Sequence, residues 1–123
     1  MVVVPDFLIK RIYKKGTLVD NNGHIEFTLK NVLGPGFLSG FGYVKINETI
    51  YSPSDVKFIT QGQEFSGTDI SEANPISFRL GQEGTVILSG NGGLINGNNK
   101  IEIEVCNPEA GKVYLRVDDN FGN

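Results

Sequence analysis

The sequence predicts an all-β fold, an antiparallel β-sandwich of about eight or nine short strands in one domain over residues 1–123. Three observations predict it. Apolar residues recur at every second position in successive segments, which places them on one face of an extended strand. Clusters of Gly, Asn, Asp and Pro separate these segments and supply turns. No eleven-residue window keeps a helical period, so we expect at most one turn of helix, at 52–55 or 68–73.

The alternating segments follow one another along the chain with turn residues between them. They are HIEFTLK (24–30), YVKIN (43–47), DVKFIT (55–60), ISFRL (76–80), TVILS (85–89), KIEIEV (100–105) and KVYLRVD (112–118). Turns are predicted at 20–23, 34–36, 61–63 and 81–84, and NPEAG (107–111) predicts a hairpin between the last two segments. The basic patch KRIYKK (10–15) also alternates and is interpreted as the solvent face of a strand.

The alternation assigns one set of side chains to the core, because each lies on the apolar face of its strand. The predicted core residues are Ile25, Phe27, Leu29, Val44, Ile46, Phe58, Phe78, Leu80, Val86, Leu88, Ile101, Ile103, Val105, Val113, Leu115 and Val117.

Composition limits the class of partner. The net charge is -3 and the charged fraction 20%, which argues against a nucleic-acid binder that relies on a basic surface. Pro5 and Asp6 interrupt the apolar start of the chain, and no apolar run approaches the roughly 18 residues that span a bilayer. A single cysteine, Cys106, cannot form an internal disulfide. We therefore expect a cytoplasmic protein with neither a nucleic-acid nor a membrane partner.

Residues 89–99 contain four glycines and four asparagines and could be read as a phosphate-binding loop. Such a loop needs a following helix whose amide groups meet the phosphates. Here an alternating segment follows, so the loop is interpreted as a surface turn with Leu94 and Ile95 tucked beneath it.

Catalytic residues are sparse. The single histidine, His24, cannot provide multi-histidine zinc ligation and is interpreted as an exposed residue at a strand start. Cys106 has no predicted basic neighbour that would activate it as a nucleophile. The carboxylate pairs Glu102/Glu104, Asp118/Asp119 and Asp69/Glu72 lack the spacing of calcium loops. We predict no catalytic residue, no metal site and no cofactor, and expect the isolated chain to catalyse nothing.

The most unusual stretch is VLGPGFLSGFGYV (32–44), in which Phe37, Leu38 and Phe41 stand among Gly34, Gly36, Gly40 and Gly42. Apolar loop residues with such glycine content are either buried under the rim of the sandwich or presented to a partner. Phe37, Leu38 and Phe41 are the candidate partner-binding residues. As an interface they would be solvent-accessible in the isolated chain.

The order of these features resembles a known family. The segments IYKKGTLVDNNGHIEFTLK, GPGFLSG, VKINE, VKFITQGQEF and GGLINGNNKIEIEV are similar to the small β-subunit domain of C-glycoside deglycosidases. The resemblance implies a non-catalytic accessory subunit of a carbon–carbon lyase complex in carbohydrate metabolism. It also implies a larger (β/α)-barrel partner subunit that carries the divalent metal and the acid/base residues.

Two other functional classes stay open on the sequence. A stand-alone β-sandwich binding module for carbohydrate or lipid would need exposed aromatics that converge on one face. A structural homo-oligomer would need a surface complementary to itself.

Overall fold

The computed structural model describes residues 5–33 and 36–122. A short helix, α1 (Asp6–Lys10), precedes eleven strands. The strands are β1 (Val19–Asn21), β2 (His24–Lys30), β3 (Phe37–Leu38), β4 (Gly40–Ile46), β5 (Thr49–Tyr51), β6 (Val56–Thr60), β7 (Gln63–Ser66), β8 (Ile76–Ser77), β9 (Glu83–Leu88), β10 (Gly97–Asn107) and β11 (Gly111–Phe121). Single 3-10 turns lie at Pro53–Asp55 and Gly67–Asp69. In the described ranges no helix is both long and apolar enough to cross a bilayer.

The strands form antiparallel sheets, so the predicted all-β sandwich is confirmed. One sheet has the order β1-β2-β9-β6-β7, the second β11-β10-β4-β5, and a two-stranded ribbon pairs β3 with β8. Strands β10 and β11 form the predicted hairpin, in an unbroken register from Gly97 opposite Phe121 to Asn107 opposite Gly111. The strand count exceeds the prediction because β1, β3, β5 and β7 have two to four residues each, too few to show an alternation.

Fourteen of the predicted core residues are buried, and the two exceptions are Leu80 and Val117. Leu80 is 63% exposed. Strand β8 ends at Ser77, and the chain then turns back, the amide of Gln82 donating to the carbonyl of Arg79 at 2.9 Å. Val117 is half-buried at the margin of the core. The prediction for Leu80 is wrong because alternation was extended beyond the end of the strand.

Three phenylalanine rings connect the sheets at the centre of the core. Phe58 of β6 is fully buried, and its ring centroid lies 5.7 Å from that of Phe41 on the opposite sheet and 5.5 Å from that of Phe78. Gly84 in the neighbouring strand β9 leaves room for this ring, because a Cβ atom there would lie 2.2 Å from Phe58 Cζ. Phe58 therefore links β4, β6 and the segment after β8.

The basic patch 10–15 does not form the solvent face of a strand. Lys10 ends α1, and Tyr13 makes a single bridge to Leu29 of β2 with its side chain buried. The Tyr13 hydroxyl donates to Asp119 Oδ2 at 2.8 Å, and the amide of Gly16 donates to the same oxygen at 2.9 Å. Burial, and then the neighbouring Asp119 carboxylate, raise the pKa of Tyr13. The segment 10–15 packs against the core because the Tyr13 hydroxyl hydrogen-bonds to the buried Asp119 carboxylate on β11.

Several predicted turns have the expected backbone. Asn22 and Gly23 both have positive φ, 55° and 88°, as required for the tight hairpin between β1 and β2. At the end of the β10–β11 hairpin, Asn107 Oδ1 accepts from the amides of Glu109 and Ala110. In the predicted turn at 34–36, Gly34 and Pro35 lie outside the described residues.

Truncating Phe27 or Leu115 to Ala should lower the free energy of unfolding by about 2 to 5 kcal/mol, because each side chain is almost completely buried and would leave a cavity. Leu80→Ala is the matched control, since an exposed side chain of similar size should contribute within about 0.5 kcal/mol. Urea titration followed by circular dichroism measures all three. Equal losses at Leu80 and Leu115 would contradict this assignment of the core.

Candidate functional site

The three predicted partner-binding residues do not share one surface. Phe37 is 51% exposed, whereas Leu38 is 7% and Phe41 3% exposed. The interface alternative requires all three side chains to be solvent-accessible, which Leu38 and Phe41 are not; burial under the rim of the sandwich, the other alternative, accounts for both. A partner-binding role for Phe37 stays a prediction.

Strand formation explains the burial of Leu38 and Phe41. Leu38 pairs with Ile76 in the β3–β8 ribbon, and Phe41 lies in β4 with its ring against Phe58. Gly40 and Gly42 belong to β4, not to a hinged loop. Gly42 lies where the β4–β10 register shifts, and a Cβ atom there would lie 2.4 Å from Glu104 Oε1. A Cβ atom at Gly40 would lie 3.1 Å from Cys106 Cβ, so Gly40 serves close packing of β4 on β10, whereas at Gly42 the flexible Glu104 side chain can move aside.

Two other exposed apolar side chains lie on chain segments next to Phe37, Leu33 at 40% and Leu80 at 63% exposure. Leu33 and Phe37 flank the 34–35 gap, and Leu80 lies in the turn that follows β8. We call Leu33, Phe37 and Leu80 the apolar rim. Their two chain segments are neighbours because β3 pairs with β8 and Phe37 stands opposite Ser77.

Buried Asn31 is hydrogen-bonded to both segments of the apolar rim, the one that contains Leu33 and the one that contains Leu80. Its amide nitrogen donates to Gln82 O at 3.0 Å, its carbonyl accepts from the amide of Gly81 at 2.8 Å, and its side-chain amide donates to Phe78 O. Its side-chain oxygen accepts from the amide of Leu33 at 2.9 Å. The hydrogen bonds of one buried polar residue thus hold together the two segments that carry the rim. The alternation pattern does not predict this role of Asn31.

A polar cluster covers the outer face of the four-stranded sheet, and we call Tyr43, Glu102, Tyr114 and Arg116 the outer cluster. Arg116 Nε donates to Glu102 Oε1 at 2.7 Å, and the Tyr43 hydroxyl donates to Glu102 Oε2. The Arg116 guanidinium also lies 5.3 Å from the centre of the Tyr114 ring. These contacts follow from the register, which places Glu102 opposite both Lys45 and Arg116.

The outer cluster shifts the pKa values of its members. The Tyr43 hydrogen bond, and then Arg116, lower the pKa of Glu102. The bond to Glu102, and then burial, raise the pKa of Tyr43 to about 12. Both shifts favour an ionised Glu102 between a neutral tyrosine and a cation. The cluster is a neutralised ion pair, not a general acid or base poised near neutral pH.

The other chemical candidates occupy structural positions. His24 is exposed at the start of β2, as predicted, with Nδ1 3.1 Å from Leu88 O. Cys106 is half-buried, and burial raises the pKa of its thiol despite Lys112 across the strand pair. Within residues 5–33 and 36–122, no three His, Cys, Asp or Glu side chains group as a metal site.

The glycine- and asparagine-rich loop is a turn fixed by Asn99, whose side chain is fully buried. Asn99 Oδ1 accepts from the amide of Ile95 at 2.9 Å and from Asn47 Nδ2 at 3.0 Å, and Asn99 Nδ2 donates to Ile95 O at 2.9 Å. The side-chain amide of Asn99 and the backbone of Ile95 are therefore satisfied within the protein. Leu94 packs partly buried as predicted, but Ile95 is 52% exposed.

Two of the depressions on the described surface lie among polar side chains. One, of about 320 Å³, is lined mainly by hydroxyl and amide side chains around Thr60, Gln63, Asn74 and Gln82. The other, of about 260 Å³, borders the outer cluster and contains both cations and carboxylates. Neither is lined by a histidine or a cysteine.

The fold defines the chain as an antiparallel β-sandwich, and comparison with protein families shows the family to which it belongs. Residues 8–122 match the model of the hydroxymethylglutaryl-CoA reductase N-terminal domain. The chain belongs to this family. No curated protein matches it significantly.

Membership of this family overturns the resemblance to the small subunit of C-glycoside deglycosidases. The predicted function as an accessory subunit of a deglycosidase is wrong, and so is the link to carbohydrate metabolism. The alternative functions, a stand-alone carbohydrate or lipid module and a purely structural role as a homo-oligomer, have no support either. Self-association of the chain as such stays a prediction. The resemblance was built on turns and alternating strands, which unrelated sandwiches share.

Phe41→Ala should lower the melting temperature sharply, because truncation opens a cavity beside Phe58 and costs about 3 to 5 kcal/mol. Phe37→Ala should change the free energy of unfolding by about 0.5 kcal/mol or less, since half of its side chain is in solvent, even though Phe37 belongs to the β3–β8 ribbon. Differential scanning calorimetry of the two single variants tests this. The distinction is refuted if both variants melt together.

Tyr43→Phe should raise the titration midpoint of Glu102 towards its ordinary value, because the largest cause of its lowered pKa is removed. The contribution of Glu102 to stability is present above its unfolded pKa and lost as pH falls through the lower folded value. NMR titration of the Glu102 carboxyl carbon measures the shift. Tyr51→Phe is the control, since that hydroxyl bonds to Gly92 O and should leave Glu102 unchanged; equal midpoints in all three proteins would disprove the effect.

Proposed function

We propose that this chain is a docking domain that works with the catalytic part of a hydroxymethylglutaryl-CoA reductase and binds it through the apolar rim. The observation that carries the proposal is the match to the reductase N-terminal domain over residues 8–122, a range that contains the whole rim. In this proposal the chain binds the reductase, and the catalytic part of the reductase carries out the reduction of hydroxymethylglutaryl-CoA.

The apolar rim has the composition of an interface anchor. Leu33, Phe37 and Leu80 expose large apolar side chains on adjacent segments. Burial of such side chains against a partner is favourable at roughly 25 cal/mol per Å² of apolar surface, before the costs of association. Aromatic anchors in particular contribute a disproportionate share of binding energy.

The support beneath the rim favours binding by a preformed surface. Asn31 ties the amide of Leu33 to the segment 78–82, and Phe78 anchors that segment on Phe58. A partner would not have to order these backbone segments on binding. Less conformational entropy is then lost in the complex, which raises affinity for a given contact area.

The proposal includes the expectation that the isolated chain is not catalytic. Its one histidine is exposed at a strand start, and its one cysteine has a raised pKa. The lyase assignment rested on the overturned resemblance, and the (β/α)-barrel partner has no other support. A cytoplasmic location is part of the proposal, consistent with a single free cysteine.

Leu80→Asp should weaken association with the catalytic region of the reductase from the same source by at least about tenfold, because a charge would be buried at an apolar contact. Ile50→Asp is the matched control, since Ile50 has the same 63% exposure but lies on β5 of the other sheet. Isothermal titration of each variant into the catalytic region gives the dissociation constants.

Association that weakens equally in both variants would contradict the rim as the docking surface. A complete lack of association of the unaltered chain would contradict the docking function. Turnover of hydroxymethylglutaryl-CoA by the chain alone, measured in the same preparation, would contradict the assignment of catalysis to the partner.

A further inference from the structure

Strand β11 is the longest edge strand among the described residues. It has eleven residues and, within 5–33 and 36–122, pairs only with β10, at the end of the sheet order β11-β10-β4-β5. No backbone hydrogen bond in the described chain joins its other side to a further segment. Such an edge is a template for strand addition unless it is blocked.

The register shows which residues of β11 direct backbone groups outward. The carbonyls of Lys100 and Cys106 in β10 accept from Asn47 and Ser39 on the β4 side. Backbone groups alternate sides along a strand, so odd-numbered residues of β10 bond to β11. Their partners in β11 are odd as well. The even-numbered residues of β11 therefore present their amide and carbonyl groups at the free edge.

These even-numbered residues form a self-complementary pattern. Around Leu115 the sequence reads Lys-Val-Tyr-Leu-Arg-Val-Asp over 112–118. An antiparallel copy centred on Leu115 places Lys112 opposite Asp118 and Tyr114 opposite Arg116, each pair occurring twice. Opposite charges and cation–aromatic pairs across strands are stabilising. Arg116 already lies against Tyr114 within one chain.

The two adjacent registers that also pair even with even residues are unfavourable. Centring on Tyr114 places Lys112 opposite Arg116, and centring on Arg116 places that guanidinium opposite its own copy. Like charges directly opposite destabilise a strand pair. Among these registers, only the one centred on Leu115 places no like charges opposite each other.

We propose that β11 pairs antiparallel with β11 of a second copy of this chain, with the two-fold axis at Leu115. The two four-stranded sheets then form one continuous eight-stranded sheet. This surface is independent of the apolar rim, and the dimer forms without the reductase.

Helix α1 contacts β11. It has five residues and buries none of them fully. A five-residue helix with two half-buried side chains, Leu8 and Ile9, can shift when a strand is added, at the cost of the contact that Ile9 makes with the core. Lys112 and Asp118, which form the charged pairs, are exposed.

The test is sedimentation equilibrium of the full chain from about 1 µM to 1 mM, a range that covers weak association. The unaltered chain should dimerise. Lys112→Glu should raise the dimer dissociation constant by about tenfold, because two attractive pairs become repulsive. Adding Asp118→Lys in the same chain should restore dimerisation, since the swapped charges again attract across the axis.

Lys57→Glu is the control, because it reverses a charge whose partner is Glu64 on β7, away from β11. It should leave the dissociation constant unchanged, and thermal unfolding of each variant checks that folding is intact. A monomer throughout the range, a dimer indifferent to Lys112→Glu, or a double variant that fails to dimerise would each overturn the proposal.

Discussion

The position of one ring, Phe58, determines how the two sheets and the apolar rim fit together. It is fully buried in β6 and meets Phe41 from the opposite sheet and Phe78 from the segment that carries the rim. The absence of a side chain at Gly84 makes room for it. Because interiors are close-packed, this arrangement fixes the distance between sheets and the course of the chain after β8.

Much of the fold follows from alternation, and the errors occur where alternation ends. In β2, β6, β9 and β10 the predicted inward residues are buried, as they are in β11 apart from half-buried Val117, because a one-residue change of register would turn the apolar set to solvent. Leu80 was misassigned since the hydrogen bond from Gln82 to Arg79 ends the extended segment. Phe41 was read as a loop residue because glycines flank it, although both glycines lie within strand β4.

Polar residues that organise the surface were not predictable in the same way. Asn31, Asn99 and Asp119 each satisfy backbone or hydroxyl groups from distant segments. Nothing in the local sequence distinguishes such a residue from the many exposed ones, since the partners are brought together only by the tertiary fold. Leu33, Phe37 and Leu80 likewise become neighbours only through the pairing of β3 with β8. Family membership also lay beyond alternation and turns, which describe the sandwich and not its function.

The central claim is that the rim supported by Asn31 and Phe78 is where this domain meets a hydroxymethylglutaryl-CoA reductase. Hydrogen–deuterium exchange of the chain, free and bound to the catalytic region of the reductase, tests it most directly. The account predicts slower exchange on binding in peptides from 31–38 and 76–82, with the 49–51 strand unaffected. Protection confined to other segments, with 31–38 and 76–82 exchanging as in the free chain, would contradict it.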